Sequence, residues 1–95
     1  MVIKPTKLIC LDCDSTLSAI EGVDELARLR GPVVLAQVAA MTNDAMDGRI
    51  PLEEVFSRRL EIIRPGRTET EAVGQQYIRE MEPTAPATIA ALKSA

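Results

Sequence analysis

The stretch "KLICLDCDSTL", residues 7–17, decides the fold because it joins an apolar run to two closely spaced aspartates. Residues 7–12 form a continuous apolar run with polar ends, which predicts a strand buried on both faces, as in parallel sheets. Such a strand needs neighbours on both edges, yet no second strand is visible in the sequence. We therefore expect that residues 3–12 pair with another chain, or that this is the front part of a longer α/β protein.

Four or five helical segments follow the predicted strand. Helical spacing of apolar residues predicts a first helix that ends at Gly31-Pro32 and a second that begins at Pro32. A third helix is predicted in "PLEEVFSRRLEIIR", residues 51–64, and a fifth in "PTAPATIAALKSA", residues 83–95. In the fourth, "TETEAVGQQYIREM", Thr68 and Glu71 have the spacing of a capping box. The chain is therefore predicted to be mainly helical.

Length, charge and hydropathy exclude several classes of protein. The chain has 95 residues, which allow one small domain, and a net charge of -3 without a basic patch for nucleic acid. No apolar segment approaches the roughly 20 residues of a membrane span, and the N-terminus lacks the apolar region of a signal peptide. From this we expect a cytoplasmic protein that binds neither nucleic acid nor membranes.

The two cysteines, Cys10 and Cys13, have the spacing of a redox dithiol or of half a zinc site. Two thiolates without histidine cannot complete a tetrahedral zinc site. Because Cys10 lies inside the apolar run, we interpret it as a small buried hydrophobic residue.

Asp12 and Asp14 stand where the predicted strand ends. In open α/β sheets ligands bind beyond the carboxyl ends of the strands, so both carboxylates can face a ligand there. One carboxylate can coordinate Mg²⁺ and attack phosphorus, while the other donates a proton and then activates water. The amide groups of residues 13–16 could line an anion-binding concavity. The alternative is a solvated strand end followed by a turn.

Arg59 is the second candidate, because it falls within the apolar arc of the third helix when residues are spaced by about 100°. Arg58 falls outside that arc, four residues after Glu54, where a surface ion pair is expected. A guanidinium on an apolar face needs an anion. Arg59 therefore either pairs with Glu21 or another acid, or clamps the carboxylate of a ligand.

Glu21 and Met46 each allow two interpretations. Glu21 lies at the start of a helix, where the helix dipole favours an acid, but it could also bind an ammonium group. Met46 precedes the Asp47-Gly48 turn and is interpreted by default as ordinary packing.

The segment "LDCDSTL" resembles the first motif, D-x-D-x-T, of the haloacid dehalogenase (HAD) superfamily. The following "EGVDELAR", "AM-DG-R-I" and "RR-L" look like the phosphoserine phosphatase family, and the resemblance runs from about Lys7 to Lys93. It implies an α/β HAD-like (Rossmann-like) fold, of which this chain holds the first strand and a mainly α-helical cap. The implied division is residues 1–16 for the strand and catalytic loop, 17–82 for the cap, and 83–95 for the start of a returning core helix.

The same resemblance implies a role for each candidate residue. Asp12 would be the nucleophile that forms an aspartyl-phosphate, and Asp14 the general acid and base. Both would bind Mg²⁺, Asp12 through its carboxylate and Asp14 through its backbone carbonyl. Glu21 would face the ammonium group of L-phosphoserine and Arg59 its carboxylate. Two cap residues, Met46 and Leu52, would close over the substrate.

The chain departs from the family at Leu52, where phenylalanine is usual. It also lacks the family's phosphate-holding Ser-Gly-Gly segment and lysine, and its metal-binding Gly-Asp-Gly segment. Because phosphoryl transfer requires neutralised oxygens, we expect this chain to have little or no phosphatase activity by itself. The resemblance therefore predicts a Mg²⁺-dependent phosphoserine phosphatase of serine biosynthesis, present as an N-terminal fragment. The alternatives are a HAD phosphatase for another small phosphomonoester and a non-enzymatic helical interaction module.

Overall fold

The computed structural model describes residues 8–95, which form five helices. Their bounds are α1 Gly22–Arg28, α2 Pro32–Met46, α3 Leu52–Ile63, α4 Arg67–Arg79 and α5 Ala85–Ser94. The prediction of a mainly helical chain is confirmed. Within this described range, no helix is both long and apolar enough to cross a membrane.

The predicted first strand is wrong for residues 8–12, which form no β-ladder in the structure. The remainder of the predicted strand, residues 3–7, lies outside the described residues. A strand needs a partner for its backbone N–H and C=O groups, and the described part of the chain folds into helices that offer none. Cys10, predicted to be buried within this strand, is exposed.

The start of α4 differs from the predicted capping box. The N-cap residue is Gly66, two residues before Thr68, and its N–H donates to Glu69 Oε1 at 2.9 Å. Glu69 is the third helical residue, the position from which a glutamate reaches back to the N-cap. Glu71 instead accepts a hydrogen bond from Arg67 Nε at 3.0 Å. The prediction had the correct motif but placed it two residues too late.

The helices α1 to α4 share one aliphatic core, with α1 packed against the other three. Its buried residues are Ile20, Leu26, Ala27, Val38, Ile63 and Val73. The helix α5 lies apart from this core, and an open groove of about 400 Å³ runs between it and Leu8, Ile9 and Leu11. The radius of gyration is accordingly 16.9 Å, against about 12 Å for a compact chain of this length.

Arg30 joins the ends of three helices. Its Nε donates to Ile63 O at 2.8 Å, and its Nη2 donates to Arg64 O at 3.1 Å. The two terminal nitrogens also bind Glu69, at 2.5 Å and 2.6 Å. The hydrogen bonds from Arg30, and then the one from the Gly66 N–H, lower the pKa of Glu69 to about 2. The Arg30 side chain thus binds carbonyl groups at the end of α3 and a glutamate in the first turn of α4.

We expect the Arg30–Glu69 pair to make stability depend on pH. The pKa of Glu69 is 4.5 in a free chain and about 2 when folded, so its contribution is present above 4.5 and lost as pH falls toward 2. Glu69→Gln should therefore lower the urea midpoint at neutral pH and reduce its fall in acid. Glu54→Gln is the control, because Glu54 pairs only with the exposed Arg58 on its own helix. Equal acid dependence in both variants would contradict this prediction.

Candidate active site

The loop of residues 13–20 is closed by its own backbone. The carbonyl of Cys13 accepts three N–H groups, from Thr16 at 3.2 Å, Leu17 at 3.0 Å and Ser18 at 3.1 Å. Ser15 has a φ of 57°, in the left-handed region, and its N–H donates to Ile20 O at 3.1 Å. Because the N–H groups of Ser15 and Thr16 are used within the loop, the predicted anion-binding concavity is wrong for these two residues.

The end of α4 holds this loop in place. Three hydrogen bonds join them: Ser18 Oγ to Tyr77 O at 2.9 Å, Ala19 N to Glu80 O at 2.9 Å, and Glu82 N to Leu17 O at 2.7 Å. Ser18 is buried, with 3% of its surface exposed. Since buried polar groups need partners, its hydrogen bond stabilises the loop against α4.

Asp14 is half-buried, and both of its oxygens have partners. The hydroxyl of Tyr77 donates to Oδ1 and Oδ2, each at 2.9 Å, and the N–H of Gly22 donates to Oδ2 at 3.1 Å. The carboxylate therefore lies between the first residue of α1 and a side chain of α4. Because donors from both helices contact its two oxygens, Asp14 has a defined orientation.

Asp12 is exposed, unlike Asp14. Its Oδ2 accepts a hydrogen bond from Thr16 Oγ1 at 3.3 Å, a weak contact that leaves most of its lone pairs free. Over residues 8–95, no three potential metal ligands of the His, Cys, Asp and Glu types come together. The exposed carboxylate of Asp12 is an oxygen ligand of the type that Mg²⁺ takes, usually together with several waters.

Glu21 and Arg59 are not paired with each other. Glu21 is exposed, and its Oε1 accepts the hydroxyl of Ser15 at 2.7 Å. Arg59 Nη1 contacts Thr42 Oγ1 at 3.3 Å, while its Nε is buried without a hydrogen-bond partner among the described residues. Of the two interpretations of Arg59, the ion pair with Glu21 or another acid is wrong for the described residues, among which Arg59 contacts Thr42 instead. A role in binding a ligand carboxylate stays a prediction.

Arg58 behaves as predicted for a surface residue. Its Nη2 binds Glu54 Oε2 at 2.7 Å, one helical turn away, and both side chains are about half exposed. Two adjacent arginines on α3 therefore differ in environment: Arg58 is paired in solvent, and Arg59 has a buried nitrogen without a partner.

Met46 and Leu52 lie at the end of α2 and the start of α3, on either side of the connecting turn. They are 78% and 66% exposed, so the interpretation of Met46 as ordinary packing is wrong. Large apolar side chains with this exposure are available to cover a ligand. Their role as a lid stays a prediction.

Sequence reasoning missed Gly22 and Tyr77. Their contacts with Asp14 span 8 and 63 residues of chain, and periodicity on a single helix cannot detect such pairs. Burial, followed by the hydrogen bond to Asp14 and its charge, raises the pKa of Tyr77 to about 12.

We expect the Asp14–Tyr77 contact to be visible in an alkaline titration. Tyr77 is the only tyrosine, and the chain has no tryptophan, so the near-ultraviolet absorbance of tyrosinate reports this residue. In the wild type it should ionise near pH 12, and in Asp14→Asn at a lower pH that is still above the ordinary value of 10, because burial, the largest cause of the raised pKa, remains. The raised pKa also means that its contribution to stability is present below pH 10 and is lost as pH rises to 12. An unchanged midpoint in Asp14→Asn, with Asp12→Asn as control, would contradict the contact.

Comparisons with known proteins find that the chain is similar to part of several phosphoserine phosphatases. It is 36% identical to the phosphoserine phosphatase of Mus musculus over 75 residues, covering 79% of this chain and 32% of the relative. For Drosophila melanogaster the identity is 35% over 88 residues, covering 93% and 29%. For Methanocaldococcus jannaschii it is 38% over 61 residues, covering 64% and 28%.

These relatives are all phosphoserine phosphatases, as the sequence motifs indicated. The chain is similar to one part of each of them. It spans about a third of the length of the curated relatives it matches. No protein-family model matches the chain, and no solved structure is significantly similar to it.

Proposed function

We propose that this chain supplies the catalytic loop and the cap of a Mg²⁺-dependent phosphoserine phosphatase. The observation that carries the proposal is the contrast between two carboxylates on one loop, within a segment similar to phosphoserine phosphatases. Asp12 is exposed and nearly free, whereas Asp14 is held by two hydrogen-bond donors. A free carboxylate suits a nucleophile, and an oriented one suits proton transfer.

In the proposed reaction, an oxygen of Asp12 attacks the phosphorus of L-phosphoserine. The bond from phosphorus to the serine oxygen breaks, and Asp14, which enters this step in its protonated form, gives that oxygen its proton. An aspartyl-phosphate remains on Asp12. Asp14, now ionised, takes a proton from water as that water attacks phosphorus, which frees phosphate and restores both carboxyl groups.

We assign substrate recognition to two charged residues of the proposed cap, Glu21 and Arg59. Glu21 would bind the ammonium group, because its carboxylate is exposed beside the loop that carries both aspartates. Arg59 would bind the carboxylate, because its buried Nε lacks a partner in the described structure. Met46 and Leu52 would cover the substrate, since both are largely exposed.

Mg²⁺ would be held by the carboxylate of Asp12 and the backbone carbonyl of Asp14, with water and the substrate as further ligands. When bound, it would neutralise negative charge on the phosphoryl oxygens. We also propose the wider setting that the motifs imply: an α/β HAD-like fold, the cap at residues 17–82 between core segments 1–16 and 83–95, and a cytoplasmic role in serine biosynthesis. Self-association into dimers or higher oligomers through Leu8 to Leu11 stays a prediction.

We expect little or no phosphate release from L-phosphoserine by the purified 95-residue chain with Mg²⁺. Two aspartates leave the phosphoryl charge without a phosphate-holding lysine, and this charge must be neutralised in the transition state. The measurement is phosphate release beside an Asp12→Asn control. Release that disappears in Asp12→Asn would contradict the expected inactivity and support the enzyme.

The activity itself is tested on any longer natural form of the chain. Such a form should hydrolyse L-phosphoserine with Mg²⁺, and Asp12→Asn should abolish the reaction. A longer form that binds Mg²⁺ but releases no phosphate from L-phosphoserine would overturn the proposed function.

A further inference from the structure

Tyr77 of α4 contacts the catalytic loop at two places. Its hydroxyl donates to both oxygens of Asp14 at 2.9 Å, and its carbonyl accepts the hydroxyl of Ser18 at 2.9 Å. The hydroxyl and the carbonyl thus bind residues four positions apart on the same loop. A single residue of α4 therefore connects the cap to the proposed acid–base group.

The lack of a side chain at Gly22 leaves room for this contact. A Cβ atom on Gly22 would lie 2.0 Å from the Tyr77 hydroxyl oxygen. The absence of a side chain at Gly22 thus allows the tyrosine to reach Asp14 across the start of α1. The N–H of the same glycine donates to Asp14 Oδ2 at 3.1 Å. Gly22 and Tyr77 form one arrangement around one carboxylate.

We propose that Tyr77 is a positioning residue for Asp14. The proposal rests on the proposed function, in which Asp14 gives a proton to the leaving oxygen and takes one from water. A carboxylate on a loop exchanges between staggered rotamers unless its oxygens are held. Proton transfer requires the acid within hydrogen-bond reach of the reacting oxygen, and a small misplacement of a reacting group has large effects on rate. Tyr77 holds both oxygens of this carboxylate through its hydroxyl.

The proposal also connects the cap to the chemistry. Since Tyr77 lies on α4 and Asp14 on the loop, a displacement of α4 relative to the loop would leave the carboxylate with the Gly22 N–H as its one remaining donor among the described residues. The contrast with Asp12 is direct: its one side-chain partner, Thr16, lies on its own loop. Among the described residues, only Asp14 of the two aspartates is held by the cap.

The first test measures the orientation of Asp14 directly in the 95-residue chain. Three-bond couplings between Hα and the two Hβ protons of Asp14 report its χ1 rotamer. We expect couplings of a single rotamer in the wild type and averaged couplings in Tyr77→Phe, which keeps the ring but lacks the hydroxyl. Averaged couplings in the wild type, or unchanged couplings in Tyr77→Phe, would overturn the proposal.

Ser18→Ala is the matched control. It removes the other hydrogen bond between Tyr77 and the loop without altering the groups around Asp14. We expect a lower urea midpoint with Asp14 still in one rotamer. Averaged Asp14 couplings in Ser18→Ala would mean that docking of the loop, and not the Tyr77 hydroxyl, holds the carboxylate.

The second test uses activity in any longer form that hydrolyses L-phosphoserine. Tyr77→Phe is expected to lower kcat about ten- to a hundredfold while KM is unchanged, because the groups proposed to bind substrate remain. A rise in KM with unchanged kcat would overturn the positioning role. The two tests separate the two proposals: without hydrolysis the proposed function fails, while the couplings still decide whether Tyr77 positions Asp14.

Discussion

Gly22→Ala is expected to destabilise the chain by about 1–3 kcal/mol, the usual range for an inserted methyl group without room. The new Cβ would lie 2.0 Å from the hydroxyl oxygen and 2.6 Å from the Cζ atom of Tyr77. Such distances are shorter than any contact between non-bonded atoms. The ring must therefore move away, and Asp14 then loses the Tyr77 hydroxyl. Urea unfolding followed by circular dichroism measures the change.

Gly74→Ala is the matched control for this prediction. Gly74 lies in the interior of α4, and a Cβ there would meet no atom within 4 Å. Because glycine inside a helix costs roughly 0.5–1 kcal/mol relative to alanine, this substitution should stabilise the chain. The same substitution of glycine by alanine should therefore lower the stability of the chain at Gly22 and raise it at Gly74. Destabilisation of similar size at both would mean that the contact with Tyr77 is not the cause.

A double mutant identifies the contact itself. In a Tyr77→Leu background the atoms that meet the new Cβ are gone, so Gly22→Ala should lose most of its effect. Residues in direct contact typically show coupling energies of about 0.5–3 kcal/mol in such cycles. An additive result would contradict the steric explanation.

Local signals predicted most of the helical fold. The helix α2 begins at Pro32, after Gly31 with a φ of 97°, as the glycine–proline pair indicated. The start of α4 was misplaced because two overlapping motifs were available. The structure uses Gly66 with Glu69, which also binds Arg30 in the segment after α1. The hydrogen bonds between Glu69 and Arg30, which are far apart in the sequence, thus favour Gly66 as the N-cap residue. A local sequence pattern does not contain that information.

The predicted strand failed for a related reason. A continuous apolar run shows that a segment can be buried, but burial as a strand depends on a ladder with another segment. Residues 8–12 have no such ladder in the described structure, and Leu8 is 78% exposed. The apolar composition of the segment was therefore not sufficient to predict a strand. A strand also requires a second segment to pair with, and the residues of the first segment do not show whether one is present.

The candidate site was predictable where one helix decides the environment. Angular position on α3 distinguished Arg59 from Arg58, and the structure confirms the pair between Arg58 and Glu54. The positions of Tyr77 and Gly22 around Asp14 depend on how α1, α4 and the loop pack together. That arrangement became visible only in the structure.

Arg59→Met is expected to raise the free energy of unfolding by about 1 kcal/mol and to weaken the use of L-phosphoserine. A buried polar group without a partner costs about 1–3 kcal/mol, and the Arg59 Nε is such a group in the described structure. Methionine keeps an unbranched apolar side chain of similar reach and removes that cost. Such a cost in the free chain is expected if the missing partner of Arg59 is the carboxylate of the substrate.

Arg58→Met is the matched control on the same helix. It removes only an exposed pair with Glu54, worth about 0.3–0.5 kcal/mol, so it should lower stability slightly and leave substrate use unchanged. In a longer form with activity, Arg59→Met should lower kcat/KM for L-phosphoserine about ten- to a hundredfold, since a charge-assisted hydrogen bond contributes about 1.5–3 kcal/mol. Phosphoethanolamine, which lacks the carboxylate, should be hydrolysed as well as by the wild type. If Arg59→Met lowers stability, or impairs both substrates equally, Arg59 is a structural residue and the assignment of phosphoserine over another phosphomonoester loses its support.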